Sequence, residues 1–124
     1  MRVLIFTGEQ QTYDHLTDTI RLIISNPQMH QANDYDRFRR ELTHGRWDLV
    51  VVAAPGAQGM ETCIGARKIR PRIPLFWFSD DPLFAAQSYR LNCTYFGVMP
   101  VSGRMMENAF GRIGEHTAIH AAMG

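Results

Sequence analysis

A chain of 124 residues and 14.2 kDa is the size of one domain, large enough to hold a core without disulfides or metal. Hydrophobic residues at 45% and charged residues at 20% exclude disorder as the main state. Thirteen basic against twelve acidic residues, a net charge of +1, exclude a bulk pull toward nucleic acid or anionic membrane. The apolar runs are four to six residues long, far short of the ~20 of a spanning helix, and Met1 to Phe6 shows no leader pattern. The expectation is a cytoplasmic protein with no membrane contact and no direct nucleic-acid binding.

Val3 to Phe6 reads as a first strand, with Thr7 to Gln10 as its exit loop. From Thr12 to Ser25, Leu16, Ile20, Ile23 and Ile24 define one helix face, stopped by Asn26-Pro27. Gln28 to Gln31 is a polar strand suited to a sheet edge. Asn33 or Asp34 caps a second helix carrying Tyr35, Phe38 and Leu42, and Gly45 ends it. Trp47 to Ala54 is continuously apolar after Asp48, the pattern of a central strand buried on both faces. Pro55 to Gly59 reads as a loop and Met60 to Arg70 as a third helix. Leu75 to Phe78 is a further buried strand. Ser79 to Pro82 opens a fourth helix, with Asp at the cap and Pro at the first helical position. Tyr95 to Val98 is the fifth strand, and a last helix starts near Ser102 with Met105, Met106, Ala109, Phe110 and Ile113 inward.

Strict alternation of five strands and five helices predicts a doubly wound (βα)5, flavodoxin-like three-layer sandwich, α/β in class, with a parallel sheet in the order 2-1-3-4-5. Ligands of such sheets sit beyond the carboxyl ends of the strands. The residues there are Thr7, Gly8 and Glu9, then Ala53 and Ala54, then Ser79, Asp80 and Asp81, then Met99 and Pro100.

Over roughly residues 1–115 the chain resembles a response-regulator receiver domain, CheY-like in fold. The matching stretches are Met1 to Ile5, Trp47 to Val52, Ile73 to Ser79 and Tyr95 to Pro100. The stretch from Asp80 to Asn92 is most similar to LytTR-type regulators. The resemblance implies a phosphorelay or transcription-regulating role in two-component signal transduction. It also implies a phosphorylation site, and here the sequence departs from the family. Phosphoryl transfer to a carboxylate needs the nucleophile, a divalent ion and a Lys on the phosphoryl oxygens. The acceptor position is Ala53, and a methyl group is no nucleophile. The acidic pair that would hold Mg²⁺ is replaced by Thr7 and Gly8, leaving Glu9. The Lys position is Met99. Ser79, the aromatic Phe96 and Pro100 are kept. The reading is a non-phosphorylatable pseudo-receiver: not an enzyme, with no cofactor and no metal.

Asp80 and Asp81 read as helix caps beside Pro82, and Glu9 with Asp80 as a thin cation site at most. His15, His30, His44, His116 and His120 have no ligand spacing. Arg67, Lys68, Arg70 and Arg72 read as a solvated basic face. Gly56-x-x-Gly59 is an incomplete phosphate-loop fingerprint. Cys63 and Cys93 form no C-x-x-C pair and read as buried free thiols in a reducing compartment.

What remains is a surface. By resemblance, receivers meet partners through the fourth helix, fifth strand and fifth helix, which here offer Phe84, Gln87, Ser88, Tyr89 and Phe96, with Arg90 and Arg104 at the edges. Aromatic and Arg side chains carry much of the energy of interfaces. The expected partner is another protein or a second copy, as a homodimer. The alternative is a small-molecule or nucleotide sensor using the vacated pocket at the strand ends. Residues 116–124 are expected to form a tail or extend the last helix, the whole being a stand-alone protein or a fragment of a longer regulator.

Overall fold

Four short apolar runs and one polar edge strand pair into one parallel sheet, the apolar ones because they are too hydrophobic to face water, and each strand is followed by a helix. In the computed structural model, which describes the backbone of residues 1–123 and side chains as far as Gly114, the elements are β1 (Arg2–Phe6), α1 (Gln10–Arg21), β2 (Gln28–Ala32), α2 (Tyr35–His44), β3 (Leu49–Ala53), α3 (Gly56–Ile69), β4 (Leu75–Ser79), a 3₁₀ turn (Pro82–Phe84), α4 (Ala85–Arg90), β5 (Tyr95–Val98) and α5 (Gly103–Met123). The sheet order is β2-β1-β3-β4-β5, as the alternation predicted. Residues 116–123, expected as a tail or an extension of the last helix, lie in the backbone of α5, and their side chains lie outside the described residues.

Side chains alternate across the pleat, so the sheet feeds two cores. Leu4, Phe6, Val50, Val52, Leu75 and Trp77 pack with Phe38, Leu42, Cys63 and Ala66 of α2 and α3. Val3, Ile5, Leu49, Val51, Phe76 and Phe78 pack with Leu16 and Ile20 of α1 and Met106 and Ala109 of α5. β3 and β4 are buried at every residue. Polar β2 lies at the edge, with only Ala32 buried. The register runs Phe6, Val52, Trp77 and Phe96 across four strands.

Beyond shifts of one or two residues at other ends, three helical segments differ from the sequence reading. Helix α1 stops at Arg21, because Ile23 and Ile24 both turn back to the Ile20 carbonyl. The segment from Pro82 begins as a 3₁₀ turn and becomes a six-residue α4, with Asp81 accepting from the Leu83 N–H at 2.9 Å. Helix α3 starts four residues early, at Gly56 rather than Met60. Gly56 has a left-handed φ of 56°, open to glycine at little cost, and its N–H is held by the Asp80 carboxylate at 2.9 Å.

The basic cluster is not the solvated face that its sequence spacing suggests. Arg67 donates to the carbonyls of Leu91 (2.7 Å), Ile73 (2.6 Å), Asn92 (2.9 Å) and Arg70 (3.4 Å). Arg70 donates to those of Leu42 (3.1 Å) and Gly45 (2.8 Å). Both are clamps that tie α3 to the α4–β5 loop and to the end of α2, and only Lys68 and Arg72 are exposed. The thiols also divide: Cys63 is buried, whereas Cys93 is partly exposed.

Candidate functional site

The loops after β1, β3, β4 and β5 converge at one end of the sheet and enclose a cavity of about 710 Å³. This is the end at which doubly wound sheets bind ligands. Its floor is apolar, made by Ala53, Ala54, Leu16, Met99 and Val101. Its rim carries Glu9, Gln11, Thr12, His15, Gln58 and Asp80. A more open depression of about 840 Å³ lies at the other end of the sheet, between Trp47, Asp48, Pro71 and Pro74. It has no strand carboxyl ends around it.

Of the positions singled out at the strand ends, all but Ser79 and Asp81 line this first cavity. Thr7, Gly8, Glu9, Ala53 and Met99 line it together. Ala53 closes β3 and is 3% exposed, so its methyl group stands where β3 presents a side chain to the crevice. Ser79 is buried at the end of β4. Its hydroxyl donates to Asp80 Oδ1 at 3.3 Å and accepts from the Asp81 N–H at 3.4 Å, so both of its local partners lie in its own turn. Asp80 is committed as well, to Gly56 and Ser79. Its role is to hold the start of α3, while Asp81 alone caps the segment that follows. Glu9 accepts from the Thr12 hydroxyl at 3.4 Å. Among the described residues no group of three or more His, Cys, Asp or Glu side chains could hold a metal ion.

The Gly56-x-x-Gly59 segment is not a phosphate cradle. The Gly56 N–H is taken by Asp80, and Gly59 is packed inside α3, where a Cβ would lie 2.6 Å from the Ala54 carbonyl oxygen. His15, read as a scattered histidine, has a positioning role at the rim. Its Nε2 donates to the Val101 carbonyl, bridging α1 to the β5–α5 loop, which begins with the cis Met99-Pro100 bond. Sequence spacing held no signal for this contact.

Of the residues expected on a partner face, all but one are exposed or half-buried. Tyr89 is 88% exposed, and Arg90 and Arg104 are exposed. Phe84 and Phe96 are half-buried, both against Trp77, with ring centroids 5.5 and 5.4 Å away, and Gln87 is partly exposed. Ser88 is buried at 7%, and its hydroxyl donates to the Ala85 carbonyl at 2.7 Å. It is the one buried residue of α4, which follows a 3₁₀ turn that shifts the helix phase. Leu83, not singled out from the sequence, is 82% exposed beside Tyr89's helix. Its place in the 3₁₀ turn, rather than in a longer helix, turns it outward.

This fold has clear counterparts among solved structures. The chain superimposes on a CheY-like response regulator receiver domain from Methanospirillum hungatei JF-1 with a TM-score of 0.78 at 15% identity, covering 94% of this chain and 96% of the other. It matches the signal receiver domain of an HD domain-containing protein from Pseudomonas fluorescens Pf-5 with a TM-score of 0.78 at 16% identity, covering 94% and 97%. The response regulator TrrA of Thermotoga maritima, solved with Mg²⁺ and BeF, gives 0.72 at 14% identity, covering 93% and 97%. No family model and no curated protein sequence matches the chain. The fold is therefore that of the receiver domains of two-component response regulators. No helix among the described residues is long and apolar enough to cross a membrane.

Proposed function

We propose that this chain is a receiver-fold signalling module without phosphoryl chemistry, closest to the LytTR-type regulators, that acts in the cytoplasm by protein contact, including contact with a second copy. One observation carries this reading: Ala53 fills the position at the end of β3 where a receiver needs its carboxylate nucleophile. Met99 in place of a Lys, and Thr7 and Gly8 in place of an acidic pair, agree with it, because each removes a charge that phosphoryl transfer requires. The contact surface is the α4–β5–α5 face, with exposed Tyr89 and Leu83 as apolar anchors and Arg90 and Arg104 at the rim. In a phosphorylated receiver the modification shifts a pre-existing equilibrium of that face; here the face is held in one form or moved by another input. The test is intact mass after incubation with acetyl phosphate and Mg²⁺, beside a working receiver as control. The expected result is no adduct. An adduct lost in mild base refutes the reading, and Asp80, Asp81 and Glu9 then have to be sought as a displaced site. Sedimentation of the wild type against Tyr89→Ala tests the face.

A second reading, a small-molecule sensor, is favoured by the cavity itself. A volume of about 710 Å³ with an apolar floor and a polar rim is the form of an organic-ligand site. Its lining includes Glu9 and Asp80 but neither Lys nor Arg, so a nucleotide's phosphates gain no cation there and a neutral or cationic molecule fits better. A rise in melting temperature across a panel of such metabolites, absent with nucleotides, supports it.

A further inference from the structure

Cys63 lies on the inner side of α3 and is wholly buried, in one core cluster with Ala66 and Trp77. Cys93 comes from the loop between α4 and β5, is partly exposed, and packs against the same cluster. The two thiols lie near enough to each other, and to Arg67, for each to feel the other's charge. Arg67, one helical turn beyond Cys63, fixes the joint by binding the carbonyls of Leu91 and Asn92, the two residues before Cys93. Its four hydrogen bonds all go to neutral carbonyls. Its charge is therefore not spent on a carboxylate and acts on the thiols beside it.

Reactive thiols sit in electropositive, partly exposed surroundings, while buried apolar ones are inert. The pair contains one of each. The Cys63 thiol beside it lowers the Cys93 pKa most; burial opposes this, and the charge of Arg67 reinforces it. Burial drives the Cys63 thiol well above its ordinary value. Chemistry thus assigns an order: Cys93 is the thiolate that reacts, and Cys63 is the neighbour that follows.

We propose that Cys63 and Cys93 form a reversible intramolecular disulfide in the folded protein, with a hydroperoxide as oxidant. The Cys93 thiolate attacks the terminal peroxide oxygen. The S–O bond forms, the O–O bond breaks, and the departing oxygen takes a proton to leave as alcohol or water. The Cys63 sulfur then attacks the Cys93 sulfenic sulfur. The S–S bond forms, the S–O bond breaks, and the hydroxyl leaves as water with the Cys63 proton. Two electrons pass from the thiols to the peroxide, and a thiol reductant reverses the step. The sulfurs must close to about 2.05 Å, a movement for the loop rather than for α3. That loop turns through Asn92 at a φ of 53° and is tethered to α4 by the Cys93 N–H on the Ser88 carbonyl, 2.9 Å. This site is separate from the cavity at the strand ends, and it does not depend on the function proposed above.

The experiment treats the folded full-length chain with hydrogen peroxide at pH 7, then unfolds and alkylates it without reductant. The expected product is a monomer about 2 Da lighter than the untreated chain that takes up no alkyl group. A non-reducing peptide map joins the Cys63 and Cys93 peptides, and dithiothreitol restores both thiols. In Cys63→Ser, dimedone labels Cys93. Oxidation is at least tenfold faster in the folded chain than in urea. Full alkylation of both thiols after peroxide, a disulfide only between chains, or no rate advantage over the unfolded chain overturns the proposal. The wild-type measurement stands whether or not the variant folds.

Discussion

Replacing Arg67 by Ala removes the clamp between α3 and the α4–β5 loop. Three of its hydrogen bonds are short, at 2.7, 2.6 and 2.9 Å, and the fourth is weak at 3.4 Å. A hydrogen bond to a charged group contributes about 1.5–3 kcal/mol net. The Asn92 carbonyl borders solvent and is rehydrated when Arg67 goes, so its bond counts least. Ile73 is 9% exposed, so its carbonyl regains little water. Two well-made bonds, a partly compensated third and the lost packing of the side-chain stem sum to roughly 3–5 kcal/mol. That is a large share of a total near 5–15 kcal/mol. Urea denaturation followed by circular dichroism measures it, and the midpoint should fall by about 1.5–2 M. Arg67→Lys, with one ammonium in place of a planar fork, should recover less than half of the loss. A loss under about 0.5 kcal/mol for Arg67→Ala, the cost of an ordinary surface change, refutes the clamp and restores the solvated-face reading.

Gly59→Ala gains helix propensity of about 1 kcal/mol, but its Cβ would meet the Ala54 carbonyl oxygen at 2.6 Å and the Trp77 indole nitrogen at 2.9 Å. The clash wins, for a net destabilisation of about 1–2 kcal/mol read from the thermal midpoint. Absorbance titration of thiolate at 240 nm should show two separated steps for the coupled pair: one below the ordinary thiol range, from Cys93, and one well above it, from Cys63. The sign for stability follows from these directions. The Cys93 contribution is present above the unfolded thiol pKa and fades as pH falls through the lowered folded value. The Cys63 contribution is present below the unfolded pKa and is lost as pH rises through the raised one. In Arg67→Ala the first step should move up toward the ordinary value.

The fold was legible because its signals are local. Val3 to Phe6, Leu49 to Ala53 and Leu75 to Phe78 are apolar runs that only a sheet buried on both faces accommodates, and alternation with helices then restricts topology. The crevice was legible for the same reason, since a parallel sheet puts all four strand ends on one side. What failed was long-range. The early start of α3 depends on Asp80 reaching back to the Gly56 N–H. The roles of Arg67 and Arg70 depend on carbonyls from α2 and the α4–β5 loop. The nearness of Cys63 to Cys93 depends on the packing of that same loop on α3. No window along the chain contains both partners of any of these pairs. Ser88 failed for a smaller reason: a 3₁₀ turn before α4 shifts the helix phase, and the inward side moves with it.

The pairing of Ala53 and Met99 in the crevice has an internal logic that a double-mutant cycle can test. In a phosphorylating site a buried carboxylate and a Lys offset one another, so losing one leaves the other uncompensated at a cost of several kcal/mol. Ala53 and Met99 line one cavity, and together they leave it without either charge. Ala53→Asp alone places a carboxylate at a position 3% exposed, on a lining that already holds Glu9 and Asp80. Burial and like charge both raise its pKa. Raised above the unfolded value near 3.9, it leaves the folded state neutral-favouring, so the destabilisation is small near pH 3, grows as pH rises, and levels off above the folded pKa. At pH 7 the expected loss is about 3 kcal/mol or more. Met99→Lys alone should cost about 1–2 kcal/mol, because the chain can lift its ammonium toward the carboxylates of the rim. Together the two changes should cost less than their sum by about 1–3 kcal/mol, with no phosphoryl adduct from acetyl phosphate, since Thr7 and Gly8 still supply no carboxylate for Mg²⁺. Additivity within about 0.5 kcal/mol would mean that the two positions do not share an environment. The pairing of uncharged Ala53 and Met99 on one lining would then need an explanation other than electrostatic compensation.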